Sequence, residues 1–218
     1  MFKGIKEDIA AYLERDPAAK SAWEVFFLYP GFKALRAHRK AHRHYEKGHY
    51  FRARLISELS RRKTGIEIHP GAVLGKGVII DHGQGVVIGE TAVVGDYCTI
   101  YQGVTLGGTG KDTGKRHPTL KNNVMVGAGA RVLGPFTVGE YSKIAAGAVV
   151  LSEVPPHCTC VGVPARVVRL RGQRIDDLDQ VHMPDPVAQE LCELRMRVFA
   201  LEKGQVARAG KGDTDAAV

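Results

Sequence analysis

Small aliphatic residues recur at every sixth position through the middle of the chain. They run Ile68, Leu74, Ile80, then Ile88, Val94, Ile100, Leu106, then Val126, Val132, Val138, Ile144 and Val150. A helix repeats near 3.6 residues and a strand near 2, so neither alone sustains a period of six. Such a period predicts a parallel β-helix, in which each short strand and its turn form one side of a coil. Residues 66–170 then supply about five to six three-sided coils, stacked about 4.8 Å apart. Two interruptions break the count. Ile80 to Ile88 spans eight residues and carries Asp81-His82-Gly83-Gln84-Gly85. Leu106 to Val126 spans twenty, read as eighteen plus two, and contains Gly107-Gly108-Thr109-Gly110 and Arg116-His117-Pro118. Polar groups capable of chemistry collect where the coil is interrupted, and sites belong on such scaffold-held loops.

The flanks follow other patterns. Residues 1–63 read as a helical domain, with Ile5, Ile9, Tyr12 and Leu13 at helical spacing. Pro17 is expected to open a second helix with Asp16 as its N-cap, running towards Leu28 before Tyr29-Pro30-Gly31 breaks it. A third helix is predicted from Phe32 to Lys47 and a fourth from Tyr50 towards Arg62. Residues 64–170 form the solenoid domain, and its open end needs a cap that the helices can supply. Residues 171–218 read as a linker, an amphipathic helix over 187–203 and a disordered tail. In that helix Val187, Leu191, Leu194, Val198 and Leu201 repeat as two heptads, enough to bundle about an existing symmetry axis.

Composition narrows the class. Aromatics make up only 7% of the chain, which suits stacked Val, Ile and Leu better than a globular α/β core. No apolar run of about eighteen residues is present, which argues against a membrane span. The N-terminus carries no secretory apolar segment, so the expected compartment is the cytoplasm. Cys98, Cys158, Cys160 and Cys192 lack zinc-ribbon spacing and read as small packing residues. The net charge is +8, and residues 31–63 hold eleven Lys or Arg against Glu46 and Glu58. Without aromatic stacking platforms or a DNA-binding pattern, that face argues against nucleic acid and for a solvated surface or long-range attraction of anions. His38, His42, His44 and His49 read as part of an ordinary polar helix face.

Among the interruptions, His82 is the first candidate for a catalytic base, since a neutral imidazole takes a proton readily at physiological pH. Asp-His-Gly is also ordinary turn composition. His117 is a similar candidate, and Arg116 beside it offers a planar fork suited to a carboxylate or phosphate. Gly107-Gly108-Thr109-Gly110-Lys111 could cradle a phosphate or a thioester carbonyl with backbone N–H groups, although it lacks Walker A spacing. Gly127-Ala128-Gly129-Ala130 and Ala145-Ala146-Gly147-Ala148 fall one coil apart, so their small residues stack and leave a groove.

These segments together carry a resemblance. Thr64-Gly65-Ile66-Glu67-Ile68-His69-Pro70, Ile80-Asp81-His82-Gly83, Gly89-Glu90-Thr91, Thr105 to Lys111, Arg116-His117-Pro118 and Gly162-Val163-Pro164-Ala165-Arg166 resemble the serine O-acetyltransferases. This hexapeptide-repeat family implies a left-handed coil, against the usual right-handed preference of parallel crossovers. It implies acetyl transfer from acetyl-CoA, a co-substrate rather than a resident cofactor, to the hydroxyl of L-serine. The O-acetylserine formed feeds cysteine synthesis. The resemblance makes His82 the general base and Glu67 the carboxylate that orients it, where some members carry Asp. It places Asp16 and Asp81 at the serine ammonium group, and Arg116 and His117 at its carboxylate. Gly108 and Thr109 match residues at the thioester end of CoA, and Ala128 and Ala146 match groove residues along pantetheine. Lys143 would lie near the nucleotide end, and no metal is implied. Sites in this family lie between subunits of a trimer, and the short N-terminal region favours a homotrimer over a hexamer. Family tails often end in isoleucine and dock into O-acetylserine sulfhydrylase. The Asp215-Ala216-Ala217-Val218 end departs from that pattern and argues against docking. Two other readings stay open: a hexapeptide acyltransferase for another acceptor, and a binding or metal-dependent solenoid.

Overall fold

The computed structural model describes residues 2–110, 113–168, 194–199 and 201. Among the described residues fifteen short strands follow four N-terminal helices, and fourteen of the strands wind into a solenoid of three parallel sheets. The first coil is β1 (Glu67–Ile68), β2 (Val73–Leu74) and β3 (Ile79–Ile80), and the second is β4 (Val87–Ile88), β5 (Val93–Val94) and β6 (Thr99–Ile100). The third is β7 (Thr105–Gly107), β8 (Thr119–Leu120) and β9 (Met125–Val126), and the fourth is β10 (Arg131–Leu133), β11 (Thr137–Val138) and β12 (Lys143–Ile144). A fifth runs from β13 (Val149–Val150) through Val154, which bridges to Val138, to β14 (Thr159–Val161). The hexad aliphatics stack in register inside. One column is Ile80, Ile100, Val126, Ile144 and Cys160, and another is Ile68, Ile88, Leu106, Val132 and Val150. Every one of these ten is at least 96% buried, so the period of six is the period of the core.

The second interruption differs from its reading in the sequence. Leu120 fills the second-sheet column between Val94 and Val138, in register with both. The stretch from Leu106 to Val126 is therefore two ordinary sides plus an eight-residue insertion between β7 and β8, not a full coil plus two. Leu120 escapes the hexad count because that insertion shifts its phase.

A parallel coil leaves unpaired backbone groups along its terminal edge, and the helices cover them. These are α1 (Phe2–Arg15), α2 (Ala22–Leu28), α3 (Pro30–Glu46) and α4 (Tyr50–Thr64). Tyr12 in α1 accepts from the Ile80 N–H at 3.0 Å and donates to its carbonyl at 3.1 Å. Asp8 accepts from the Gly77 N–H at 2.9 Å and is itself ion-paired to Arg39. Ser57 donates to Ile68 O at 2.7 Å and His42 Nδ1 bonds Pro70 O at 2.7 Å, while the buried Nδ1 of His38 has no hydrogen-bond partner among the described residues. The histidines are thus not a plain polar face. His38 follows Phe32, Ala34 and Leu35 on the buried stripe of α3, and burial lowers its pKa to about 3. At the far end β15 (Arg166–Val168) folds back antiparallel on β14, after a cis Val163–Pro164 bond.

The helix at Pro17 is also corrected. Asp16 and Pro17 form a turn after α1, in which Asp16 Oδ1 accepts from Ala18 N–H at 2.8 Å. The second helix begins at Ala22, where Ser21 accepts from the Glu24 N–H at 3.2 Å as its N-cap. Pro30 opens α3 instead of separating it from α2.

Residues 1–183 form one unit and 184–218 another. In the second, 194–199 are helical, within the amphipathic helix expected over 187–203. The linker, Lys111, Cys192 and the tail lie outside the described residues. Cys98, Cys158 and Cys160 are buried and unbridged. Among the described residues no helix is long and apolar enough to cross a membrane.

Candidate active site

The candidate residues fall at two corners of the coil, one on either side of the first sheet. The first corner joins the third sheet to the first and holds Asp81 and His82. His82 is exposed, with a left-handed backbone (φ 55°) that is uncommon for a residue with a Cβ. That conformation belongs to the first interruption, whose Gly83 N–H bonds the Asp81 carbonyl at 2.6 Å. Tyr12 pins α1 to Ile80, the residue before Asp81. Arg15 extends the anchor to Tyr97 O at 2.7 Å, and Asp16 follows at the end of the same helix. Burial, and then the Asp16 carboxylate, raise the pKa of Asp81, with His82 opposing the shift. Burial also pushes the Tyr29 phenol up to about 12, and the nearby Asp16 carboxylate adds to the shift. Two carboxylates therefore share this corner and favour an incoming cation.

Glu67 opens β1 just beyond the same corner, where the Gly85 N–H bonds the Gly65 carbonyl at 2.9 Å. Its charge acts on Arg61 of α4, and among the described residues no hydrogen bond joins it to His82. Ala128 and Ala146 stack above this corner, in successive coils tied by the Gly147 N–H to Ala128 O bond at 2.8 Å. Lys143 begins β12 on the sheet leading into it.

The second corner joins the first sheet to the second and carries the eight-residue insertion. Here Gly108 and Thr109 leave β7, and Arg116 and His117 return to β8. Thr91 holds the returning strand. Its Oγ1 accepts from the N–H groups of Arg116 at 3.0 Å and His117 at 3.1 Å. The hydroxyl also lies 2.9 Å from His117 Nδ1, which accepts the Thr91 N–H at 3.2 Å. Nδ1 is thus an acceptor, and a neutral ring carries its proton on Nε2. Burial, then Arg116, lowers the His117 pKa and favours that neutral form. The ring lies across Gly89, where a Cβ would come within 2.0 Å of it. Arg116 is ion-paired to Glu90, and burial lowers the pKa of Lys115 nearby. This corner gathers cations and donors.

The structure thus brings Asp16, Asp81, His82, Glu67, Ala128 and Ala146 to one corner and Gly108, Thr109, Arg116 and His117 to another. Tyr12, Tyr29, Tyr45, Glu90 and Thr91 organise them, and the sequence alone assigns none of them a role at the site. Glu90 and Thr91 belong to the Gly89-Glu90-Thr91 segment that carries the family resemblance. Tyr12 showed only helical spacing. Among the described residues no group of three or more His, Cys, Asp or Glu could hold a metal ion.

Stacked hexads, a helical cap and two polar corners define a hexapeptide-repeat transferase, and residues 117–152 match the bacterial transferase hexapeptide family. Residues 1–37 match the N-terminal region of serine acetyltransferases. A serine acetyltransferase from Synechococcus elongatus is 58% identical over 93% of this chain and 83% of its own. The Neisseria gonorrhoeae serine acetyltransferase, solved with serine, superposes with a TM-score of 0.74 at 44% identity, over 77% of this chain and 68% of that one. The Brucella abortus serine acetyltransferase, solved with coenzyme A, gives 0.76 at 45% identity, over 78% and 68%. The chain belongs to the serine acetyltransferase family. It is an acetyl-CoA-dependent enzyme that acetylates the serine hydroxyl, and its solenoid is the left-handed β-helix of hexapeptide-repeat proteins. Acetyl-CoA is a co-substrate.

Proposed function

We propose that the active site is completed between neighbouring copies of a homotrimer, the first corner of one copy facing the second corner of the next. What supports this is the opposite character of corners that one chain keeps apart. Serine is a zwitterion. Its ammonium group suits Asp16 and Asp81, and its carboxylate suits Arg116 and the Nε2–H of His117 from the neighbour. The first sheet then faces the symmetry axis, and the CoA groove runs between Ala128 and Ala146 of one copy and Gly108 and Thr109 of the next, with Lys143 towards the nucleotide. The structures with serine and with coenzyme A in relatives support both ligands.

In this arrangement His82 takes the serine hydroxyl proton as the oxygen bonds to the thioester carbonyl carbon. The tetrahedral intermediate collapses by breaking the C–S bond, and the imidazolium returns the proton to the CoA thiolate. Glu67 stabilises that imidazolium once the interface forms.

Mixed trimers test the proposal. At limiting serine, His82→Ala chains, which lack the base, and Arg116→Ala chains, which bind serine weakly, are each expected to be nearly inactive. Co-refolded in equal amounts, they should form about a quarter of their interfaces from two intact corners and recover activity in that proportion. Mixed trimers as inactive as either parent would overturn the shared site.

A further inference from the structure

The second corner contains two side chains for which the reaction above has no use, Glu90 and Tyr45. Glu90 Oε2 is ion-paired to Arg116 Nη2, while its Oε1 accepts the Tyr45 hydroxyl at 2.8 Å. The three members come from separate elements: α3, the corner after β4, and the insertion. Gly71 leaves room beside them, since a Cβ there would lie 3.1 Å from both Tyr45 Cζ and Glu90 Cγ, tighter than ordinary contact. The Tyr45 ring is fixed edge-on against Tyr50 at 5.0 Å and His69 at 5.8 Å. Arg116, followed by Tyr45, holds the Glu90 carboxyl below the usual carboxylate range, and Glu90 in turn raises the Tyr45 phenol.

A guanidinium offers five N–H donors in a rigid plane. Glu90 takes one at Nη2 and the Gly114 carbonyl takes another at Nη1, 3.3 Å away. The others stay available to a planar anion, and the plane in which they lie is set by Glu90. A surface ion pair made only for stability would not need its carboxylate held from behind by a clamped phenol.

We propose that Glu90, oriented by Tyr45, is a positioning residue that presents Arg116 to the carboxylate of the amino-acid substrate. The pair governs recognition of that carboxylate and not the acetyl-transfer step. This rests on Arg116 being the carboxylate ligand, and the test separates the two claims.

The experiment compares kcat and KM for L-serine and L-serinamide, which lacks the carboxylate. Wild type, Glu90→Ala, Glu90→Gln, Tyr45→Phe, Arg116→Ala and the Glu90→Ala/Arg116→Ala double variant are measured, with melting curves as a folding control. Glu90→Ala should raise the serine KM about 10-fold and lower the preference for serine over serinamide, with kcat and the acetyl-CoA KM little changed. Glu90→Gln should keep part of the preference, because its amide oxygen still accepts from Arg116. Tyr45→Phe should shift the serine KM by about 2- to 3-fold. The double variant should discriminate no worse than Arg116→Ala alone. A preference lost in Arg116→Ala but intact in Glu90→Ala and Glu90→Gln would overturn the positioning role and leave Arg116 as the ligand. A preference intact in Arg116→Ala would overturn the reading of Arg116, and the role of Glu90 with it.

Discussion

The two corners of the coil are built by different means. The first is held from outside: Tyr12 and Arg15 fasten α1 across the edge of the solenoid and thereby set Asp16 over Asp81 and His82. The second is held from within, by Thr91 and Glu90 of the coil below gripping the insertion that carries Arg116 and His117. One concentrates negative charge and the exposed imidazole. The other concentrates positive charge and a neutral histidine that donates from Nε2. A single coil keeps them apart because its first sheet stands between, and this separation of opposite charges is what supports the proposed second copy.

The largest effect is expected where the comparison is most asymmetric, at the proposed base that only the first corner supplies. His82→Ala should lower kcat/KM for serine at least ~100-fold, followed as CoA release with a thiol reagent. Because His82 has a left-handed backbone, His82→Asn is the sharper variant, since asparagine tolerates that conformation. An equal loss in both variants assigns the effect to the imidazole. An active Asn variant would mean that the backbone, and not the base, carries the role of this residue.

A middle-sized effect tests whether the first corner depends on the cap. Tyr12→Phe keeps the edge-on packing against Phe32 but removes both hydrogen bonds to Ile80. Leaving those buried groups unpaired should cost about 1–3 kcal/mol of stability, seen as a lower melting temperature. It should also raise the serine KM through Asp16 while sparing the acetyl-CoA KM. A lower melting temperature with an unchanged serine KM would break the link between cap and corner.

This asymmetry also explains what could be read in the sequence. The hexad period is local and repeated, so it revealed the solenoid directly, whereas the hand of the coil came only with the family resemblance. His82, Arg116 and His117 stood out because they interrupt that period. Leu120 was lost from the count because the insertion changes its phase. Asp16 looked like a helix cap because Asp-Pro favours one, yet Ser21 does that work five residues later. Tyr12 and Glu90 act through partners 68 and 26 residues away, and no local pattern encodes which residues become neighbours once coils stack and a cap closes over them.

The smallest effect concerns the cap alone and should leave the second corner untouched. His38 is buried against the solenoid edge, and burial lowers its pKa from 6.5 to about 3. In the unfolded chain its imidazole takes up a proton near 6.5, whereas the native ring resists until about 3. Between those values the unfolded state binds more protons, so stability is full above the window and falls as pH falls through it. His38→Leu removes the titrating ring and its unpaired Nδ1, so its stability should fall less steeply from pH 7 to about pH 5. Chemical denaturation at several pH values measures both slopes. Parallel slopes would mean that His38 is protonated in the folded cap, and that the end of the solenoid bearing Asp16 is more open to water than its burial implies.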